Sequence, residues 1–178
     1  MRIIAGEWRG RALIAPKGDA TRPTADRVRE ALFSMLTSRL GSFEGLAVAD
    51  LFAGSGALGL EALSRGAASC LFVEQDKPAL DALRINIAKL GAKADVRAQS
   101  VMALGVAPKP LDVILMDPPY DSGAGAVALD KLARLGWVNE ATLVSIETAK
   151  REPLEVSGFV EDASRVYGKG RITLLRRA

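Results

Sequence analysis

The segment Asp117-Pro118-Pro119-Tyr120 combines the residue types needed to hold a planar amine. Two consecutive prolines fix the backbone and remove two N–H donors, so the Pro118 carbonyl is expected to point into a cleft. Together with the Asp117 carboxylate it would accept both protons of one NH₂ group, while Tyr120 stacks on the attached ring. The motif therefore predicts catalysis by positioning, with Asp117, Pro118 and Tyr120 as the catalytic residues.

A second segment, Asp50-Leu-Phe-Ala-Gly54-Ser-Gly56-Ala-Leu-Gly59, predicts a nucleotide-type cofactor. The glycines allow a tight turn and a close approach of the backbone to a ligand. The helix that follows offers unpaired N–H groups at its N-terminus. Glu74 ends the next apolar segment, where a carboxylate can accept hydrogen bonds from both hydroxyl groups of a ribose.

The glycine spacing also fits a dinucleotide fingerprint, so NAD competes with S-adenosylmethionine as the cofactor. We see no acid for hydride transfer, and 178 residues leave little room for a second nucleotide half-site. The chain has no histidine and one cysteine, which excludes His-dependent triads and the usual zinc sites, and we expect no metal. A sulfonium methyl donor needs neither a histidine base nor a metal, so S-adenosylmethionine is favoured.

Two further interpretations of the motifs remain open. Asp-Pro-Pro-Tyr also suits the amines of adenine and cytosine in DNA or RNA, although an obvious target-recognition insertion is absent. A non-catalytic RNA-binding protein on the same scaffold is the rival from another functional class. The presence of both motifs argues against that reading.

The elements that position these motifs follow from the apolar pattern. It predicts strands at residues 46–52, 69–75, 94–99, 111–117 and 141–148. It predicts helices at residues 24–40, 56–65, 77–90 and 124–135. Their alternation predicts an α/β, doubly wound, mostly parallel sheet covered on both faces, with an antiparallel pair at one edge. Residues 1–14 read as one or two strands, Thr24 as a helix N-cap, and Cys70 as a buried strand residue.

Length and charge restrict the partners. The length suits one domain, which we divide into an N-terminal region, residues 1–40, and a core, residues 41–178. No apolar run reaches a membrane span or a signal peptide, so a cytoplasmic location is the default. The net charge is +4 over residues 1–40 and +5 over residues 165–178, against −6 between them. Basic ends predict contact with a polyanion, and we expect removal of residues 1–14 to leave cofactor binding intact.

Four segments together are similar to one bacterial family. The chain resembles the 16S rRNA guanine-N2-methyltransferase D family, among class I methyltransferases with a [DN]PP[YF] motif. The segments that carry the resemblance are MRIIAGEWRGRAL, TRPTADRVREALFSML, DLFAGSGALGLEALSRGA and DPPY. The likeness runs from Arg2 to about Tyr120. It implies a seven-stranded Rossmann-like fold with a small N-terminal arm, S-adenosylmethionine as donor, and a guanine N2 amine of 16S rRNA, in the small ribosomal subunit or its precursor, as acceptor.

The resemblance also implies roles for individual residues. Around the cofactor it places Asp50, Phe52, Ala53, Gly54, Ser55, Gly56, Gly59, Glu74, Gln75 and Ser100. Against the RNA it places Arg9, Arg11, Arg22, Arg27 and Arg29. Ser100 departs from the family pattern, because such enzymes usually carry Asp or Asn there to accept from the adenine amine. The hydroxyl is shorter and both donates and accepts, so the adenine contact is expected to be weaker or to come from elsewhere.

Overall fold

Seven strands form one sheet in the computed structural model, which describes residues 1–16 and 23–178. The strands are β1 (Ala47–Leu51), β2 (Ser69–Glu74), β3 (Asp95–Ala98), β4 (Val113–Met116), β5 (Leu143–Ala149), β6 (Phe159–Tyr167) and β7 (Gly170–Arg177). The order is β3-β2-β1-β4-β5-β7-β6, and β7 runs antiparallel to both of its neighbours. The predicted parallel sheet and the antiparallel pair at its edge are confirmed.

Helices cover both faces of the sheet, as the doubly wound prediction requires. They are α1 (Pro23–Leu40), α2 (Ala57–Ser64), α3 (Lys77–Leu90) and α4 (Ala124–Arg134). Successive strand residues point to opposite faces, so Val48 and Phe72 join a core with α1, α2 and α3, whereas Ala49 and Val73 join a core with α4. Cys70 is buried on β2, as predicted. Within the described ranges, no helix is long and apolar enough to cross a membrane.

The N-terminal arm, residues 1–14, is not strand, and that prediction was wrong. A single antiparallel bridge joins Arg2 and Ala12, and turns fill the space between them. Gly6 has φ +89°, and a side chain there would collide with the Ser64 carbonyl of α2, so the arm bends where it touches that helix. The N-cap prediction for Thr24 is also corrected, because α1 already begins at Pro23.

Buried polar groups attach the arm to the helices that carry the glycine-rich segment. Glu61 of α2 is fully buried and accepts hydrogen bonds from the backbone N–H groups of Ile4 (2.8 Å) and Ala5 (3.1 Å). Asn86 of α3 bonds the backbone of Ile14 and also donates to the Ser55 carbonyl in the glycine-rich segment. Removing residues 1–14 is therefore expected to disturb cofactor binding, contrary to the expectation from the sequence. The division at residue 40 stays a prediction.

Candidate active site

The two motifs meet at the carboxyl ends of neighbouring parallel strands. β1 pairs with β2 on one side and with β4 on the other, and Leu51 lies opposite both Val73 and Met116. The chain leaves β3 at the sheet edge and returns to β4 beside β1, which opens a crevice at this point of the sheet. Open α/β sheets bind their ligands in such a crevice. The fold thus brings the glycine-rich segment and Asp117 to one cleft.

The loop after β1, residues 52–56, has a backbone suited to a ligand. Phe52 (φ 60°), Gly54 (φ 58°) and Gly56 (φ 83°) all lie in the left-handed region. A Cβ added to Gly54 would meet no atom within 4 Å, so this glycine faces open space. Gly59, by contrast, packs on β2, since an added Cβ would lie 2.4 Å from the Phe72 ring. Ala53 is buried, and its N–H donates to the Val73 carbonyl.

Asp50 is the buried acid beneath this loop. Its Oδ2 accepts a hydrogen bond from the Gly59 N–H at 2.9 Å, which fixes the first turn of α2. Its Oδ1 is buried and has no hydrogen-bond partner among the described residues. Burial raises the pKa of Asp50 well above its usual range, and the charges of Asp117 and Glu74 raise it further against the opposing bond from Gly59. An unpaired buried acceptor beside an open loop fits a ligand that carries an amine.

Glu74 ends β2 with its carboxylate against the same loop. Oε1 accepts from the Gly54 N–H at 2.8 Å, and Oε2 accepts from the N–H groups of Gln75 and Asp76 at 2.9 Å each. The Gln75 residue is exposed at the cleft rim. Three backbone bonds hold the carboxylate in place, which leaves about one of its four lone-pair sites, on Oε1, for a ligand hydroxyl.

Ser100 lies at the end of β3, at the start of a short 3-10 turn (Val101–Ala103). Its hydroxyl accepts from the Met102 N–H at 3.1 Å, so it caps that turn. A capping hydroxyl has less capacity left to accept from an adenine amine than a free carboxylate would have. The structure gives Ser100 a local role, and an adenine contact by this residue stays a prediction.

Asp117 and Tyr120 project from the end of β4. Asp117 is exposed in the open cleft, yet the surrounding protein removes hydration from its carboxyl group. Three effects raise the pKa of Asp117 to about 7. They are this loss of hydration, the negative charge of Glu147, and a hydrogen bond between the two carboxyl groups. Pro118 is buried against the start of α4, because an added Cβ at Gly125 would lie 3.3 Å from its ring. The Tyr120 ring is partly exposed.

Two glutamates shape this corner, and neither was predicted from the sequence. Glu147 of β5 accepts a hydrogen bond from the Tyr120 hydroxyl at 2.8 Å. Glu152 accepts from the N–H groups of Asp121 (2.6 Å), Ala149 (3.1 Å) and Gly123 (3.3 Å), which ties the loop after β4 to the end of β5. Partial loss of hydration opposes ionisation of Glu152, but these backbone donors prevail and lower its pKa. The one local signal for Glu147 was a carboxylate directly after the buried segment Leu143–Ile146, inside β5 and not at its end.

The arginines predicted to contact RNA differ in their exposure. Arg9, Arg11 and Arg27 are exposed, and Arg11 also donates to the Lys89 carbonyl. Arg22 lies outside the described residues. The prediction for Arg29 is corrected, because its side chain is only 3% exposed and forms ion pairs with Asp26 and Glu61. It also donates to the Arg2 carbonyl, so it joins α1 to the arm and does not face solvent.

The raised pKa of Asp117 predicts the pH dependence of any reaction that needs this carboxylate as an acceptor. Below a pH of about 7 the group is mostly protonated, and a neutral carboxyl is a weaker acceptor whose O–H can also donate. We expect kcat/KM to rise with pH up to about pH 7 and then to level off. The Asp117→Asn variant should lose this inflection, since it has no carboxyl to titrate. Initial rates measured between about pH 5.5 and 8.5 test this, and an inflection that survives in Asp117→Asn would assign it to another group.

Comparison with known proteins agrees with this geometry. A family model described as conserved hypothetical protein 95 matches residues 1–176. The ribosomal RNA small subunit methyltransferase D of Escherichia coli is 39% identical over 150 residues, 83% of this chain and 74% of that protein. The solved structure of yhhF from Escherichia coli gives a TM-score of 0.85 at 35% identity, covering 99% of this chain and 97% of that one.

A more distant solved structure extends the comparison of the fold. The magnesium protoporphyrin IX methyltransferase of Synechocystis, with bound S-adenosylmethionine, gives a TM-score of 0.68 at 16% identity over 90% of this chain and 87% of that one. The α/β fold predicted from the sequence is therefore that of class I methyltransferases. With the family model and the Escherichia coli relative, it follows that the chain belongs to the conserved hypothetical protein 95 family, that of the ribosomal RNA small subunit methyltransferase D enzymes.

Proposed function

We propose that the protein transfers a methyl group from S-adenosylmethionine to the exocyclic N2 amine of one guanine in 16S rRNA. The observation that carries this proposal is the meeting of Asp117 and Tyr120 with the glycine-rich loop at one crevice. An amine acceptor and a nucleotide cofactor site then lie side by side. The relatives' names support ribosomal RNA of the small subunit as the substrate. In this proposal the protein acts in the cytoplasm, on the small subunit or its assembly precursor.

Several features of the cleft suit the cofactor in this proposal. Asp50 Oδ1 is an unpaired buried acceptor for the amine of the methionine part, and the open side of Gly54 leaves room for it. Glu74 is held where the free lone pair of its Oε1 can bind a ribose hydroxyl. The remaining residues of the proposed cofactor site come from the same loop and from the position after Glu74. They are Phe52, Ala53, Ser55, Gly56 and Gln75. The bound cofactor supplies an electrophilic methyl group on a sulfonium centre.

The residues after β4 act on the base. Asp117 and the Pro118 carbonyl accept the two N2 protons, which directs the nitrogen lone pair out of the ring system and towards the methyl group. Tyr120 offers a ring face on which the base can stack. The nitrogen forms its bond to the methyl carbon as the carbon–sulfur bond breaks, and a proton then leaves the nitrogen to the Asp117 carboxylate or to water. No histidine takes part, since the chain has none.

The exposed arginines of the N-terminal region serve as RNA contacts in this proposal. Arg9, Arg11 and Arg27 lie on the surface of residues 1–40, and the basic segment 165–178 adds further positive charge. Phosphate contacts release counterions, so RNA affinity should fall steeply as salt rises. Residues 1–40 would dock the substrate and residues 41–178 would carry the reaction.

Replacement of Glu74 by alanine tests the cofactor half of the site. Hydrogen bonds to a charged group contribute roughly 1.5–3 kcal/mol each, so S-adenosylmethionine affinity should fall about tenfold or more. Because Glu74 also anchors Gly54, calorimetry should compare the cofactor with its 2′-deoxy analogue. If Glu74 binds the ribose, the variant loses less affinity for the analogue than for the cofactor. Equal losses for both ligands would instead assign Glu74 to the loop alone.

A strain that lacks the gene tests the proposed function in the cell. Its 16S rRNA should lack one N2-methylguanine that the parent strain contains. Native protein expressed from a plasmid should restore the modification, and the Asp117→Ala variant should not. An unchanged set of methylated guanines in the deletion strain would contradict the proposal.

A further inference from the structure

The Asp-Pro-Pro-Tyr motif has a neighbouring carboxylate that the proposed function does not use. Glu147 lies on β5, half-buried, and its Oε2 accepts the Tyr120 hydroxyl at 2.8 Å. Its carboxyl group is also hydrogen-bonded to that of Asp117. The target base therefore meets two adjacent carboxyl groups.

The sheet register explains why these groups meet. Met116 of β4 lies opposite Ile146 of β5, so the next residues on the two parallel strands, Asp117 and Glu147, stand at the same level. Gly170 of β7 lies on the other side of β5, opposite Ala149. A Cβ at Gly170 would lie 2.4 Å from the Tyr120 hydroxyl oxygen and 3.5 Å from Glu147 Oε2. The missing side chain thus leaves space for the tyrosine and the glutamate to pair.

Guanine has a further hydrogen-bond donor next to its N2 amine. Its Watson–Crick edge carries the N1–H beside the two N2 protons, whereas adenine has an unprotonated N1 beside its amine. Asp117 and the Pro118 carbonyl account for the two amine protons, which leaves the N1–H without a partner. We propose that Glu147 accepts the N1–H of the target base and thereby selects guanine over adenine. This inference rests on the proposed function.

The charges at the site support the selection. Without a base, the neighbouring carboxylates of Glu147 and Asp117 repel each other, which adds to the loss of hydration in raising the pKa of Asp117. A guanine edge supplies N–H donors to both carboxylates and removes that conflict. An adenine edge would set its N1 lone pair against the Glu147 carboxylate. A site built to hydrogen-bond a donor rejects an analogue that lacks it, because the polar group of the site is left unpaired.

The test changes both partners of the proposed hydrogen bond: the N1–H donor of the base and the Glu147 acceptor of the protein. The mapped target guanine in reconstituted small subunits is replaced by 2-aminopurine, which keeps the 2-amino group but has an unprotonated N1. Native protein should favour guanine by at least about tenfold in kcat/KM. In the Glu147→Gln variant the amide NH₂ can donate to that N1, so activity on guanine should fall and activity on 2-aminopurine should rise. The preference should shrink at least about tenfold.

Two further variants show whether a change in base preference comes from the contact of Glu147 with the base or from its bond to Tyr120. Tyr120→Phe removes the hydroxyl that donates to Glu147 and should lower activity on both bases without changing their ratio. Glu161→Gln, an exposed residue of β6, is the matched control and should leave the rates and the ratio unchanged. The inference is overturned if Glu147→Gln binds S-adenosylmethionine normally but keeps the native ratio, or makes no 2-aminopurine product. Failure of native protein to methylate guanine would instead overturn the proposed function.

Discussion

Replacement of Asp117 by alanine is expected to lower the rate of methyl transfer by about 10²–10³-fold, because it removes a preorganised acceptor from the amine. S-Adenosylmethionine affinity should change by less than about twofold, since Asp117 contacts the base and not the cofactor. Single-turnover rates on small subunits and calorimetry of the cofactor give the two quantities. Full activity of the alanine variant would show that Asp117 is structural and that the reacting site lies elsewhere.

Asp117→Asn distinguishes orientation of the amine from proton abstraction. The amide keeps an acceptor oxygen, so an orienting role predicts rates in the order native, asparagine, alanine. An asparagine variant as slow as alanine, with binding intact, would favour a carboxylate base. Asp121→Asn is the matched control, because Asp121 is exposed, lies in the same loop at φ 58°, and asparagine tolerates that backbone. Its rate should stay within about twofold of native protein.

Replacement of Glu61 by alanine is expected to reduce the free energy of unfolding by about 3–5 kcal/mol, the usual loss when one partner of a buried ion pair is removed. The Glu61 side chain is 0% exposed and pairs with Arg65 at 2.9 Å and with Arg29 at 3.5 Å. Without it, the buried Arg29 guanidinium loses one of its two carboxylate partners, and the N–H groups of Ile4 and Ala5 lose their acceptor.

Urea unfolding curves measure this loss. Glu30→Gln, an exposed change on α1, is the control and should alter stability by less than about 0.5 kcal/mol. Because Glu61 lies on the helix that follows the glycine-rich loop, the variant should also bind S-adenosylmethionine more weakly. A Glu61→Ala protein with native stability would show that the arm is attached chiefly through the buried side chains of Ile3 and Leu13.

Most of the fold could be predicted because its signals are local. Continuous apolar runs such as Val113–Met116 predict strands buried on both faces. Apolar residues at helical spacing, in segments bounded by glycines, predict the helices that cover the sheet. Strand ends could be read in the same way, since parallel strands place their carboxyl ends at one edge. The cleft formed by the segments around Asp50, Glu74 and Asp117 follows from that geometry.

The errors concern residues whose roles depend on contacts distant in sequence. An arginine in a basic stretch looks like an RNA contact until the fold places Glu61 beside Arg29, 32 positions later in the chain. The arm was predicted to be strand, but its backbone donors go to residues of α2 and α3 or to carbonyls within the arm and not to a sheet. Glu147 could not be assigned because its distance from Asp117 depends on the register of β4 and β5, which no local pattern fixes.

The most direct test of the account is the identity of the product made by the purified protein. Small subunits from the deletion strain are incubated with S-adenosylmethionine and the native protein, and their RNA is digested to nucleosides for mass spectrometry. The account predicts one new N2-methylguanosine per 16S rRNA and none with Asp117→Ala. N6-Methyladenosine as the product, or no methylated nucleoside from a folded protein that binds the cofactor, would contradict it.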